Sequence, residues 1–414
     1  VINSFWPHYG IDLIIFKISK EKSLKFKEII KTYNQYDWGI NENFYIAASE
    51  ALELKKYNLF KYCNVIKFDN DLARALPGTR FKVVTSWLDK QGFSIMPGLR
   101  KVLEIDRENI DIVHMHVFRT YQNYVLYKFC KAYEIPYVMD AHGAVPYFTR
   151  KTILKRVFDK VVGRKILREA EFLIAETQVG VEEYLAVDPL LEKDKIVIIS
   201  PPFDTDEFEK RPDVGKFREK YKVDSDKKVI MFLGRVHHIK GNDFLIEGFA
   251  ALCESRSDCL LMIVGSDDGH MDECKSLAKS CGVEDKVIFT GFIGGADKNE
   301  ALVDADIVVQ MSRQEQGAWA PFEAVLCGTP IIVSEDTGAG EDVKRVNAGE
   351  TVKFGDIDAL SKTINLTLEN YNSALEKTEL AKNFIMTKMS MNSRSQEYID
   401  VYNQAISNKT ASNR

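Results

Sequence analysis

Glu315 and Glu323 stand eight positions apart in the run Glu315-Gln-Gly-Ala-Trp-Ala-Pro-Phe-Glu323. The first falls in a loop after an apolar strand, and the second lies in a helix that begins near Trp319. A loop carboxylate can accept hydrogen bonds from sugar hydroxyls. One a couple of turns into a helix could hold the two vicinal hydroxyls of a ribose. The plain alternative for Glu323 is an acid favoured near a helix N-terminus by the dipole. A second run, Gly234-Arg235-Val-His-His-Ile-Lys240-Gly241, follows a strand and opens a helix. Its terminal glycines let backbone approach a ligand closely, and a helix N-terminus favours an anion. Arg235 and Lys240 are cations able to clamp a diphosphate. The plain alternative is a solvated basic turn. The run has no GK[ST] and no GxGxxG, so it is neither a P-loop nor a dinucleotide fingerprint.

These loops need a scaffold of strands that end beside them. Apolar runs at 229–233, 260–264, 287–290, 306–310 and 330–333 read as buried parallel strands. Gly234, Gly265 and Gly291 close three of them. Phe244, Leu245, Gly248, Phe249 and Leu252 recur at helical spacing between the first two. Strands alternating with helices give an α/β unit. The first half repeats the pattern at 112–117, 136–139, 172–175 and 196–199, whereas 33–62 shows no clear period. Pro201-Pro202 breaks any regular element, which sets a linker at about 200–207. The expected fold is two doubly wound domains, with ligands beyond the carboxyl ends of their strands.

The 414 residues carry a net charge of -5, divided as about +5 over 1–203 and -10 over 204–414. Apolar residues at 45% and charged residues at 28% exclude a fibrous or largely disordered chain. The first residues, VINSFWPHYG, lack a secretory pattern, and no apolar stretch is long enough to span a membrane. The start on Val1 leaves little room for a first strand, so a few native residues are expected to be missing. Seven cysteines, an odd number without a CxxC pair, read as reduced thiols in the cytosol. Cys and His do not cluster at zinc-ligand spacing. No basic patch is interleaved with aromatics, so nucleic acid is not an expected partner.

The runs VIMFLGRVHHIKGNDFLIEGFAAL, LLMIVGSDDG, VIFTGFI, DADIVVQMSRQE and PFEAVLCGTPIIVSEDTGAGEDV together resemble the retaining nucleotide-sugar glycosyltransferases of glycosyltransferase family 4. The likeness keeps order and spacing over 228–345. It is looser over 110–206, through DIVHMH, VMDAHG and IVIISPPFD. It implies a GT-B fold of two Rossmann-like domains facing a central cleft. The implied division is 1–203 for the acceptor, 204–390 for the nucleotide-sugar, and 391–414 as a helix returning to the first domain.

Carried over by this resemblance, Arg235 and Lys240 bind the donor diphosphate, Glu315 meets the transferred sugar and Glu323 holds the ribose. The loop Gly291-Phe292-Ile293 lies beside the base. His142 stands beside the reacting sugar, with a buried structural histidine as the alternative. Gly234, Gly265, Gly317, Ala318 and Trp319 complete the donor site. Trp319 narrows the sugar pocket or packs into the core. Gly10 is the first domain's phosphate contact, in the loop Pro7-His8-Tyr9-Gly10-Ile11, where relatives often carry two glycines. Ala318 stands where relatives usually have glycine. His114 and His116 read as ordinary strand residues.

The implied activity is retaining, metal-independent transfer of a hexose-type sugar from a UDP- or GDP-sugar to a glycan or lipid-linked acceptor. Asp204-Thr-Asp206 has the letters of a metal-binding DxD but lies in the linker. The nucleotide-sugar is a co-substrate, and no cofactor is expected. A silent GT-B nucleotide-sugar-binding protein and a GT-B epimerase are the alternatives. The expected location is cytoplasmic, or peripheral at the inner membrane face. Residues 151–168 carry seven basic side chains against Asp159, which would allow weak contact with anionic lipid. Their apolar residues are spread around an ideal helix, which favours a solvated basic helix.

Overall fold

The computed structural model describes residues 13–16, 88–90, 93–146, 152–200, 202–208 and 212–412. Gly10 and its loop, Lys151 and Pro201 lie outside the described residues. The described chain divides into two compact units. One runs up to Pro202 and includes Met391–Arg414; the other is Phe203–Ser390.

The first unit holds β1 (Leu13–Phe16), β2 (Leu88–Lys90), β3 (Phe93–Ile95), β4 (Ile112–His116), β5 (Tyr137–Asp140), β6 (Phe172–Ala175) and β7 (Ile196–Ile198). Its main sheet has the order β1-β4-β5-β6-β7, and β2 and β3 form a separate hairpin. Pairing is parallel from β4 to β7. β1 is the exception and runs antiparallel to β4, with Leu13 opposite Met115. Alternation along these strands feeds two cores. Val113, Met115, Met139 and Leu173 face one. Ile112, Val138, Phe172 and Ile174 face the other, where Ile399, Tyr402 and Ala405 of the last helix, Met391–Ser412, cover them.

The second unit holds β8 (Lys228–Leu233), β9 (Cys259–Val264), β10 (Val287–Gly291), β11 (Ile307–Gln310), β12 (Ile331–Ser334) and β13 (Glu350–Val352). They form a sheet in the order β10-β9-β8-β11-β12-β13, parallel throughout. Val229, Met231 and Leu233 pack into one core, Ile230 and Phe232 into the other. Burial on both faces is why these strands read as unbroken apolar runs in the sequence. β8 lies at the centre of the order, so the loop it feeds has β9 and β11 as neighbours.

Among the described residues, no helix is long and apolar enough to cross a membrane.

Candidate functional site

In the second unit, β8, β9 and β11 deliver their loops side by side. Gly265 has φ +155°, and a Cβ there would lie 1.7 Å from the Gly234 carbonyl oxygen. Only glycine permits that approach. Gly241 has φ +64°, and its Cβ would lie 1.8 Å from the Met311 carbonyl oxygen. The loop after β8 is thus pressed against the loops after β9 and β11.

Lys240 donates to both carboxylate oxygens of Glu315, at 3.0 and 2.7 Å. Gln310 Nε2 and Ser312 Oγ donate to Glu315 Oε2 at 2.8 and 2.9 Å. Gly338 N–H donates to the Glu315 carbonyl at 2.8 Å. A carboxylate with three charged or polar donors is fixed in direction, and a ligand there meets a preset oxygen pair. Arg235 pairs with Asp268. The neighbouring Asp267 accepts from the N–H groups of Gly269, His270 and Met271, which shapes the turn after β9. Arg313 forks onto Asp243 at 2.8 and 2.5 Å and donates to the His238 carbonyl at 2.6 Å. This pins the Arg235–Lys240 loop to the loop after β11. Burial pushes the Asp243 carboxyl up, but the Arg313 hydrogen bond and charge outweigh it, so its pKa is lowered.

Glu323 lies in the helix Trp319–Leu326 and accepts from Lys298 Nζ at 2.9 Å. Lys298 is buried, whereas Glu323 is half-buried, so the carboxylate keeps an open side. Ala318 is fully buried, and its N–H donates to Asp342 Oδ2 at 3.3 Å. Gly317 is buried beside it. The Trp319 ring packs 5.6 Å from Phe203 against the core. Phe292 is 45% exposed, whereas the Ile293 side chain belongs to the core. Asp204 is buried and Asp206 exposed.

The structure therefore gathers Arg235, Lys240 and Glu315 at neighbouring strand ends, with Glu323 and its lysine on the helix that follows. Lys298, Gln310, Ser312 and Arg313 are not singled out by the sequence, and Asp267-Asp268 reads there only as a turn. Their signal is weak, because each acts across a gap between elements.

His142 lies on the first unit. It follows β5 with φ +43°, and Val117 follows the adjacent β4 with φ +60°. Left-handed backbone at a β-branched residue is strained and needs support. Asn123 supplies it, its amide donating to the carbonyls of His116 and Val117 at 3.0 and 2.9 Å. His142 Nε2 is 2.8 Å from His116 Nδ1. His142 Nδ1 is 3.3 Å from both Asp140 Oδ1 and Glu176 Oε1. Deeper in the sheet, His114 stacks on His116 at 4.1 Å, and His114 Nδ1 lies 2.6 Å from the Tyr402 hydroxyl. His116 is thus no isolated strand residue.

Burial alone would lower the His142 pKa, but the Asp140 charge and the Glu176 hydrogen bond raise it. Burial raises Asp140 to about 6, against the pull of His142. Burial holds His116 and His114 well below the ordinary histidine range. The directions favour protonation of His142 over His116; when His142 is protonated, its Nε2–H donates to His116 and its Nδ1–H faces Asp140 and Glu176. One ligand atom each from Asp140, His142 and Glu176 lies within 4.8 Å of the others, a donor set that could hold a cation. A proton on His142 meets the same electrostatic need.

The fold and these loops define the class: the chain has the GT-B fold, and its second unit is similar to a family of glycosyltransferases. Residues 213–385 match the family model described as Glycosyl transferases group 1. The chain is 31% identical over 200 residues to mannosylfructose-phosphate synthase of Agrobacterium fabrum, covering 46% of this chain and 43% of that protein. It is 32% identical over 187 residues to D-inositol 3-phosphate glycosyltransferase of Actinosynnema mirum, covering 42% and 44%. The chain thus spans less than half the length of these two relatives. A crystal structure of Anabaena HepE in complex with UDP-glucose shares the fold, with a TM-score of 0.67 and 18% identity over 94% of this chain and 97% of that one.

Proposed function

We propose that the protein is a retaining, family 4-type glycosyltransferase that moves a hexose from a UDP- or GDP-linked donor to a glycan or lipid-linked acceptor. The observation that carries this is the Lys240–Glu315 pair beside the Arg235 loop at the carboxyl ends of β8 and β11. It supplies both charges that a nucleotide-sugar needs from a protein. A cation meets the diphosphate, and a fixed carboxylate meets sugar hydroxyls.

In this reading the donor is held by Phe203–Ser390 and the acceptor by the first unit. The bond between the anomeric carbon and the diphosphate oxygen breaks, leaving negative charge on the nucleoside diphosphate. Arg235, Lys240 and backbone amides near Trp319 stabilise that charge. The acceptor hydroxyl attacks from the same face, and a donor phosphate oxygen takes its proton. Glu323 holds the ribose and is itself oriented by Lys298. By the family resemblance His142 is assigned to the reacting sugar, and the Asp140 charge and the Glu176 hydrogen bond favour its protonated form. The positive charge at the diphosphate comes from side chains, so the reaction is read as independent of a divalent ion. The reaction is placed in the cytoplasm.

A thermal-shift panel of UDP-, GDP- and ADP-sugars, repeated with Glu323→Ala, tests the donor assignment. The expected result is stabilisation by one nucleotide class that is lost in the variant. No shift with any donor, or an undiminished shift in Glu323→Ala, rejects it.

A further inference from the structure

The segment 152–169 is not a single α-helix. Thr152–Phe158 and Arg164–Glu169 are α-helical, and Asp159–Gly163 between them is a π-helical turn. The turn is anchored from inside. Arg119 forks onto Asp159 at 2.9 and 2.7 Å, with the two side chains 8% and 2% exposed. A Cβ at Gly163 would lie 2.6 Å from Asp159 Oδ1, so glycine is required for the close fit. The wider π-turn advances fewer degrees per residue and shifts the helical phase. Ile166 and Leu167 then face the core, with Phe158 and Val162 packed against it.

The opposite face is unusual. Ile153, Leu154, Val157 and Val161 are 78, 65, 55 and 67% exposed. Arg156, Lys160, Arg164, Lys165 and Arg168 are exposed with them. The acids nearby are already engaged: Asp159 with Arg119, Asp188 with Arg168, and Glu169 with Lys131. Among the described residues, the face therefore presents aliphatic side chains towards its first half and, towards its second, Lys160, Arg164 and Lys165 without an ion pair beside the paired Arg168. It is a convex helix surface with long flexible cations, which suits a plane of head groups better than a matching groove.

We infer that the outward face of 152–168 docks on a membrane surface carrying anionic phospholipids. Ile153, Leu154, Val157 and Val161 enter the acyl boundary, and Lys160, Arg164 and Lys165 meet head-group phosphates. The charge complementarity and the clustered exposed aliphatics carry this assignment, and it goes beyond the donor reading. It is the alternative to the solvated basic helix expected from the sequence, where an ideal helical period hid the sorting of the apolar residues.

The test is co-sedimentation of the full chain with phosphatidylcholine vesicles, with and without phosphatidylglycerol, at low and high salt. The wild type should bind the phosphatidylglycerol vesicles and release at high salt. Lys160→Glu with Lys165→Glu should lower binding by roughly tenfold or more. Val157→Asp with Val161→Asp should lower it without removing the cations. Equal sedimentation with both lipids, or wild-type binding in both double variants, overturns the inference. So does a dimer of the vesicle-free protein that Val157→Asp dissolves, because a second copy would then cover the face. Circular dichroism melts confirm folding. The donor thermal shift is read on the same variants, and its persistence separates failure here from failure of the donor reading.

Discussion

Lys240 and Glu315 meet in a two-oxygen ion pair across the loops after β8 and β11, at 3.0 and 2.7 Å. The sequence places them 75 positions apart. In the proposed reading, a donor entering here would meet groups that already hold each other in place. The cation can turn partly to a phosphate while the carboxylate, kept by Gln310 and Ser312, stays directed.

Lys240→Ala and Glu315→Gln should each slow sugar transfer by roughly a hundredfold or more, as expected for a group that stabilises developing charge. Because the residues touch, the double variant should lose less than the product of the single losses. Steady-state rates of the three proteins, with melting temperatures as a folding control, check this. Fully multiplicative losses would show that the two act separately.

Arg235→Ala should slow transfer to a similar degree with the fold intact, since its pairing with Asp268 joins two partly exposed loop residues. Near-normal turnover would remove Arg235 from the diphosphate site.

Lys298 orients Glu323 from the helix Ala296–Asp304. Lys298→Met should therefore raise the donor KM by roughly tenfold with a smaller change in kcat, the sign of lost ground-state binding. A pure fall in kcat would contradict a role in holding the ribose.

Arg119 compensates the buried Asp159 carboxylate. Arg119→Met leaves that charge without its fork and should destabilise the first unit by ~3–5 kcal/mol. Urea unfolding of both proteins measures it. A loss within experimental scatter would mean that the π-turn does not depend on the pair.

His142 has a raised pKa in the folded chain. The folded state thus binds a proton more tightly than the unfolded chain does. The stabilisation is full below the unfolded value of about 6.5 and is lost as pH rises through the folded value. The melting-temperature advantage of wild type over His142→Gln should therefore shrink from pH 6 towards pH 9. An advantage that grows over this range would contradict a charged His142.

The parallel strands of the second unit were legible because burial on both faces leaves near-continuous apolar runs, each closed by glycine or a polar loop. The Arg235–Lys240 and Glu315 loops were legible for the same reason, since each follows the end of such a strand. The His116–His142–Glu176 cluster was not. Its members sit at the ends of β4, β5 and β6 or just beyond them, and only the strand order brings them together. The antiparallel β1 breaks the doubly wound pattern at the sheet edge, where pairing with one neighbour imposes no direction. In 152–169 the π-turn defeats any fixed helical period, so the inward and outward apolar residues could not be separated.

The central claim is that the second unit spends its Lys240–Glu315 pair on a nucleotide-sugar. Nucleoside diphosphate release from a panel of UDP-, GDP- and ADP-sugars, comparing wild type with an equally stable Glu315→Gln protein, tests it most directly. Release from one nucleotide class is expected, falling at least roughly a hundredfold in the variant. Release at the same rate from both proteins, or none from any donor by the wild type, would contradict it.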